Sequence, residues 1–321
     1  MKERNLYTAV PTADFLKPLA HREKVLLLGS CFSQNIGTRL QRAGFHALIN
    51  PFGITFNPIS IASSINRALS KNKMSSSELD SRNDIFFHYD FHSSFSGVNR
   101  ESVLNKMNES IDEAENYLVN SHHLIMTLGT AWVYRLEEND AVVNNCHKKP
   151  REFFAKELLS VEEIVKALND AILGVKQVNP DLNVLFTLSP VRHWKDGAIE
   201  NSVSKATLRR AIYELNETEG YDYFPAYEIL MDELRDYRYY SDDLLHPSKI
   251  AQDIIWKRFL DVACSEDTLE IIRKVQGYWA MEAHRSMHPH SEEARKFSLK
   301  LAEEKKSLEK SFPFIQLDGT K

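Results

Sequence analysis

Two short stretches of this chain carry residue types that could do chemistry together: Gly29-Ser30-Cys31 and Asp243-Leu244-Leu245-His246-Pro247. An aspartate three residues ahead of a histidine can hold one imidazole nitrogen through a carboxylate hydrogen bond and leave the other facing a nucleophile. Cys31, or Ser30 beside it, follows a glycine at the start of a helical pattern. There the positive end of the helix lowers a thiol pKa and stabilises developing negative charge. The combined chemistry is nucleophilic attack with base assistance, which is acyl-group hydrolysis or transfer through a covalent intermediate. Each stretch also has a plain structural reading. Cys31 fits a small residue packed in a first helical turn, and Asp242 or Asp243 fits a cap on a helix whose first residue is Pro247, with His246 exposed.

Three further stretches concentrate hydrogen-bonding or titratable groups. The turn Asn50-Pro51-Phe52-Gly53 could aim the Gly53 amide into a cleft as an oxyanion donor. Asn145-Cys146-His147-Lys148 closes a hairpin pattern, and Ser189-Pro190-Val191-Arg192-His193 follows an apolar run. Arg192 and Lys148, if they face the cleft, favour an anionic substrate group. Cys146, His147, His193 and His246 lack the paired spacing of a zinc site, so no metal and no cofactor is expected.

Elements must bring these stretches together across more than two hundred residues. Lys24–Leu28, His123–Leu128 and Asn183–Leu188 are short, nearly continuous apolar runs, each stopping at a turn residue, as strands of a parallel sheet buried on both faces do. Amphipathic helical patterns run over Ser33–Ala43, Pro58–Ser70, Arg100–Val119, Val161–Val178, Ser204–Glu219 and Pro247–Ala263. The alternation predicts an α/β fold, a doubly wound three-layer sandwich with a central, mainly parallel sheet. Residues 132–146 read as an inserted β-hairpin, and Ser70–Asn83 as a polar surface loop. After Cys264 the chain turns helical and charged, with an apolar stripe from Ile271 to Met287 and a Glu/Lys-rich helix over Ser291–Ser311. The expected organisation is an α/β domain over residues 1–265 and a helical C-terminal extension over residues 266–321, whose stripe could bury in the same chain or across a homodimer.

Composition narrows the classes. A net charge of -5 over 321 residues gives no electrostatic footprint for nucleic acid. No run reaches the roughly 20 apolar residues of a membrane span, and no apolar segment follows the first charged residues as in a secretory signal. Three scattered cysteines, Cys31, Cys146 and Cys264, fit a reducing compartment, so a cytoplasmic location is expected.

Taken together, Gly29-Ser-Cys-Phe-Ser33, Asn50-Pro-Phe-Gly53, Leu128-Gly-Thr-Ala-Trp132, Asn145-Cys-His-Lys148, Ser189-Pro-Val-Arg-His193 and Asp243-Leu-Leu-His-Pro247 resemble, in order, the motifs of the GSCFA family of the SGNH/GDSL hydrolase superfamily. The resemblance covers roughly residues 1–265. It implies an ester hydrolase, with transfer as the variant, acting on an O-acylated carbohydrate or other small hydroxylated molecule. Aligning the glycines puts Cys31 on the clan's nucleophilic serine; a one-residue shift of the turn would present Ser30 instead. Asp243 and His246 match the clan's acid and base, and Gly53 its oxyanion glycine. Ala131 stands where the clan carries a second oxyanion donor, an asparagine, and Asn145 or His147 are the candidates to replace it. That departure, and the cysteine in place of serine, leave two alternatives: a non-catalytic ligand-binding protein, or a cysteine-dependent thioester or amide hydrolase.

Overall fold

The computed structural model describes residues 8–284 and 291–317. Five parallel strands form the central sheet: β1 (Lys24–Gly29), β2 (His46–Ile49), β5 (His123–Leu128), β9 (Asn183–Leu188) and β10 (Asp222–Phe224), in the spatial order β10-β9-β5-β1-β2. Numbered within the sheet this is 2-1-3-4-5, the doubly wound order in which the connections reverse direction between β1 and β5, so a crevice opens at their carboxyl ends. The three apolar runs became β1, β5 and β9. The short strands β2 and β10 lie at the two edges, and their four and three residues are too few for a periodic signal.

Alternation along each strand builds a core on either face. Leu26 and Leu28 of β1, with Met126 and Phe186, pack against α2 (Pro58–Leu69), α3 (Arg100–Asn120), α4 (Val161–Val178) and α5 (Ala198–Glu219). Val25 and Leu27 face α1 (Cys31–Arg42), α6 (Ala226–Glu228) with the wide turn that continues it, and α7 (Lys249–Ala263). Two helical layers on one sheet make the expected three-layer sandwich.

Several local expectations are corrected. Ser70–Asn83 is not all loop: it carries a short turn of helix at Ser76–Glu78 and β3 (Asp80–Arg82), which pairs antiparallel with β4 (Ile85–Phe87). The predicted hairpin exists as β6 (Trp132–Leu136) and β7 (Val142–Val143), but β8 (Phe154–Leu158) joins β6 from its other side to make a three-stranded sheet. Helix α5 begins six residues before the expected start, at Ala198. Pro247 is not the first residue of its helix; Ser248 caps α7, accepting the Ala251 N–H at 3.3 Å.

The C-terminal helices α8 (Glu266–Glu282) and α9 (Glu292–Ser311) fold back onto the domain. Val275 and Tyr278 of α8 pack with Leu308 and Leu317, Ile272 joins the α1–α7 core, and the Gln316 N–H donates to the Gly44 carbonyl at 3.0 Å. The predicted stripe thus finds its cover inside this chain; its last residues, 285–287, lie outside the described residues. Among the described residues, no helix is long and apolar enough to cross a membrane.

The β1–α1 turn admits no side chain at its glycine. Gly29 has φ 137°, and a Cβ there would sit 2.2 Å from the Thr127 carbonyl oxygen. Its N–H donates to Asn50 Oδ1 at 2.8 Å and its carbonyl accepts from Thr55 at 2.9 Å, so the turn cannot move without breaking both bonds. Gly29→Ala is expected to lower stability by about 3 kcal/mol. A urea midpoint equal to that of the parent protein would show that the turn relaxes freely.

Candidate functional site

At the crevice between β1 and β5 the chain passes from Gly29 straight into α1. Ser30 is the N-cap: its Oγ accepts the Phe32 N–H at 3.3 Å, its own N–H donates to Thr127 at 3.2 Å, and it is 1% exposed. Its hydroxyl is spent on holding the helix end. Cys31, the first helical residue, is half-buried and carries a free thiol. The expected drop in thiol pKa does not appear. Burial pushes it up, and the opposing pull of the Cys31 and Phe32 amides and of the Lys205 ammonium does not reverse the direction. The resting group is a thiol, which needs a base to become a nucleophile.

The Asp243–His246 loop is built as the spacing suggested. Asp243 Oδ1 accepts the N–H groups of Leu245 and His246, both at 2.9 Å, and Oδ2 accepts a hydrogen bond from His246 Nδ1 at 2.6 Å. The two amides first, and then the imidazole, hold the Asp243 carboxyl down at about 2. His246 Nδ1–H is therefore fixed as the donor and Nε2 as the free acceptor. The imidazole side chain is 50% exposed, and among the described residues no hydrogen bond joins it to Cys31 or Ser30.

Other contacts bring this loop to the edge where Cys31 lies. Arg192 donates to the Leu244 carbonyl at 3.4 Å, its guanidinium 5.0 Å from the Trp194 ring and 5.4 Å from the Tyr240 ring. Arg192 is thus a clamp on the 243–246 loop rather than a free cation facing a cleft. Gln252 of α7 donates to the Pro247 carbonyl at 2.9 Å and accepts from Asn35 of α1, also at 2.9 Å, so the two helix N-termini are tied side by side. Cys31 and Lys249 line one groove of about 610 Å³.

A residue the sequence reading passed over completes the site. Lys205 of α5 is 2% exposed, and its ammonium donates to the carbonyls of Gly129 and Ser189, each at 2.8 Å, at the carboxyl ends of β5 and β9. Burial pushes it down to about 7, opposed by the electrostatic pull of Cys31. The signal was available: Lys205 shares a helical stripe with Leu208, Ile212 and Leu215, where a lysine must either snorkel out or find partners. Next to it, Ser204 Oγ accepts the Ala131 N–H at 2.8 Å, so Ser204 and Lys205 together grip the turn at Gly129–Ala131.

His193 stands between these groups. Its ring meets Phe56 edge-on at 5.2 Å, its N–H donates to Asn201, and none of the described hydrogen bonds uses a ring nitrogen. Burial first, then the Lys205 cation, push its pKa down to about 4, and it senses His246 as well. His193 is therefore a neutral imidazole in electrostatic contact with both Lys205 and His246.

The remaining expected residues are taken up structurally. Gly53 closes a turn: its N–H is committed to the Asn50 carbonyl at 2.7 Å, so it is not a free oxyanion donor. His147 is stacked on Phe87 at 4.2 Å and its Nε2 lies 3.0 Å and 3.1 Å from the carbonyls of His88 and Phe91, which fixes that nitrogen as a donor. Asn145 Oδ1 accepts the His147 N–H at 2.8 Å. His147 therefore spends its ring N–H on the His88 and Phe91 carbonyls. Among the described residues, no three His, Cys, Asp or Glu side chains converge as a metal site.

A family model described as the GSCFA family matches residues 24–259, a span that holds every residue of this site. Comparison with curated proteins gives no match.

Proposed function

This chain belongs to the GSCFA family, and from that premise we propose that it is an acyl-ester hydrolase or acyltransferase of the SGNH/GDSL clan, with Cys31 as nucleophile. The single observation that carries this reading is a carboxylate-oriented imidazole with a free Nε2 on the same sheet edge as a thiol at a helix N-terminus. His246 Nε2 takes the thiol proton as Cys31 Sγ bonds to the ester carbonyl carbon, and the carbonyl electron pair moves onto oxygen. The Cys31 amide and the Lys205 ammonium receive that oxyanion, Lys205 filling the role of the asparagine absent at Ala131. On collapse the ester C–O bond breaks and the alcohol leaves with the His246 proton. Water, or an acceptor hydroxyl, then attacks the thioester and restores the thiol. The substrate class is an O-acylated carbohydrate or similar hydroxylated molecule, by analogy of fold, and the cytoplasmic placement rests on three unpaired cysteines.

A second reading, a binding protein without turnover, is favoured by the lack of a hydrogen bond between His246 and Cys31 and by the alanine at 131. Incubation with p-nitrophenyl acetate and acetylated sugars, quenched in acid and mapped by mass spectrometry, separates the two. The expected result is product release with an acetyl group trapped on Cys31. Tight binding without product sinks the enzymatic reading, and an acetyl group on Ser30 sinks the choice of nucleophile. Turnover of acyl thioesters or amides but not of oxygen esters would make it a cysteine-dependent thioester or amide hydrolase.

A further inference from the structure

A second cleft opens beside the site, on the small β6-β7-β8 sheet. It has a volume of about 490 Å³, and Cys146, Lys149, Arg151, Lys156, Lys195 and Asp196 line it, with Tyr134. Four cations face one carboxylate there, on a chain whose net charge is -5. The lone acid is already used, since Lys156 pairs with Asp196 at 2.5 Å, and Lys149 is neutralised from behind by Asp80 at 2.8 Å. Among the described residues Arg151 and Lys195 enter no ion pair. Two unneutralised cations converging in one hollow repel each other and attract an anion.

The loop that forms one wall holds two residues in a strained backbone conformation. His147 and Lys148 have φ 46° and 57°, the left-handed region that side chains rarely enter. The His147 bonds to His88, Phe91 and Asn145 hold the loop there, which places Cys146 and Lys149 at the cleft. Strain over-determined by surrounding bonds clusters at functional sites. Tyr134 and Phe154 supply aromatic walls, and the Lys195 ammonium lies 5.8 Å from the Tyr134 ring centroid. The opposite wall belongs to the segment that carries His193, which senses both Lys195 and Asp196.

We infer that this cleft binds the anionic group of a sugar-sized ligand, a carboxylate or a phosphate ester. Cations fix the charge and Tyr134 and Phe154 offer apolar surface for a ring, in a volume within the range of small-molecule sites. Identifying that ligand with the acyl-bearing substrate rests on the acyl-transfer reading; the binding itself does not.

Calorimetric titration of the Cys31→Ala protein with glucuronate, glucose 6-phosphate and glucose tests the inference with turnover removed. Expected are binding of at least one charged sugar and none of glucose, weakening as salt is raised, and a loss of about tenfold or more in Arg151→Ala/Lys195→Ala with an unchanged melting temperature. The ratio of the two anions' affinities identifies which group is read. Equal binding of glucose, no binding of either anion at millimolar concentration, or an unaffected double variant overturns it. Anion binding that leaves ester turnover of the parent protein uninhibited keeps the site and rejects only its identification with the substrate.

Discussion

His246→Ala lowers kcat/KM for ester turnover by about a thousandfold or more while leaving the thermal midpoint within a degree or two of the parent. The asymmetry follows from its surroundings: the ring is half-exposed and, among the described residues, its side chain bonds only to Asp243. Removing it costs little packing, yet it leaves the Cys31 thiol, which burial holds in its protonated form, without a base. Cys31→Ala should fall as far, and the double variant no further, because the two act as one unit. Asp243→Asn keeps one oxygen for the Leu245 and His246 amides but replaces the one that accepts from His246 Nδ1, which frees the imidazole to rotate or change tautomer, so its loss is intermediate. Ser30→Ala provides the contrast: it removes a helix cap worth about 1 kcal/mol but keeps turnover. Steady-state kinetics on p-nitrophenyl acetate, with melting curves beside them, read all five. A His246→Ala enzyme with unaltered kcat/KM would end its assignment as the base.

The three central strands and most helices were legible because burial on both faces and on one face leave different periods in the sequence. Edge strands β2 and β10 were not, since pairing to a formed neighbour, rather than any pattern of their own, makes them strands. The Asp243–His246 pair was legible because a three-residue spacing in a loop fixes its own geometry. Gly53 and His147 were misread for a common reason: turn chemistry and oxyanion chemistry ask for the same residue types, and only the hydrogen-bond partners separate them. Arg192 was placed in the right neighbourhood, but its clamp on Leu244 depends on a contact 52 residues away. Lys205 stands on the apolar stripe of its helix, which marks it as unusual, but the two strand-end carbonyls that hold it come from residues 76 and 16 positions away.

That lysine carries the second large effect. Lys205→Met is expected to cut ester turnover about a hundredfold, the usual consequence of losing one oxyanion donor, and to flatten the rise of stability with pH. Folding lowers the ammonium's pKa from 10.5 to about 7. Between those values the unfolded chain holds a proton that the folded protein has released, so the parent gains stability as pH rises through this window, by up to about 1.4 kcal/mol per pH unit. Below about 7 both states are protonated, and the folded one bears the full cost of a buried cation, offset by the Gly129 and Ser189 carbonyls. The methionine variant has no such proton, so urea midpoints taken at neutral and at alkaline pH should separate the two proteins by an additional 2–3 kcal/mol or so at the alkaline end. Parallel curves would mean that the lysine keeps an ordinary proton and cannot be the group that senses Cys31. Two spectroscopic and chemical readouts tie the effect to the site rather than to stability. Loss of the cation should raise the His193 pKa, followed by NMR, because Lys205 is the largest charge pressing it down. It should also slow alkylation of Cys31 by iodoacetamide at a given pH, because the thiolate loses the one side-chain cation that favours it.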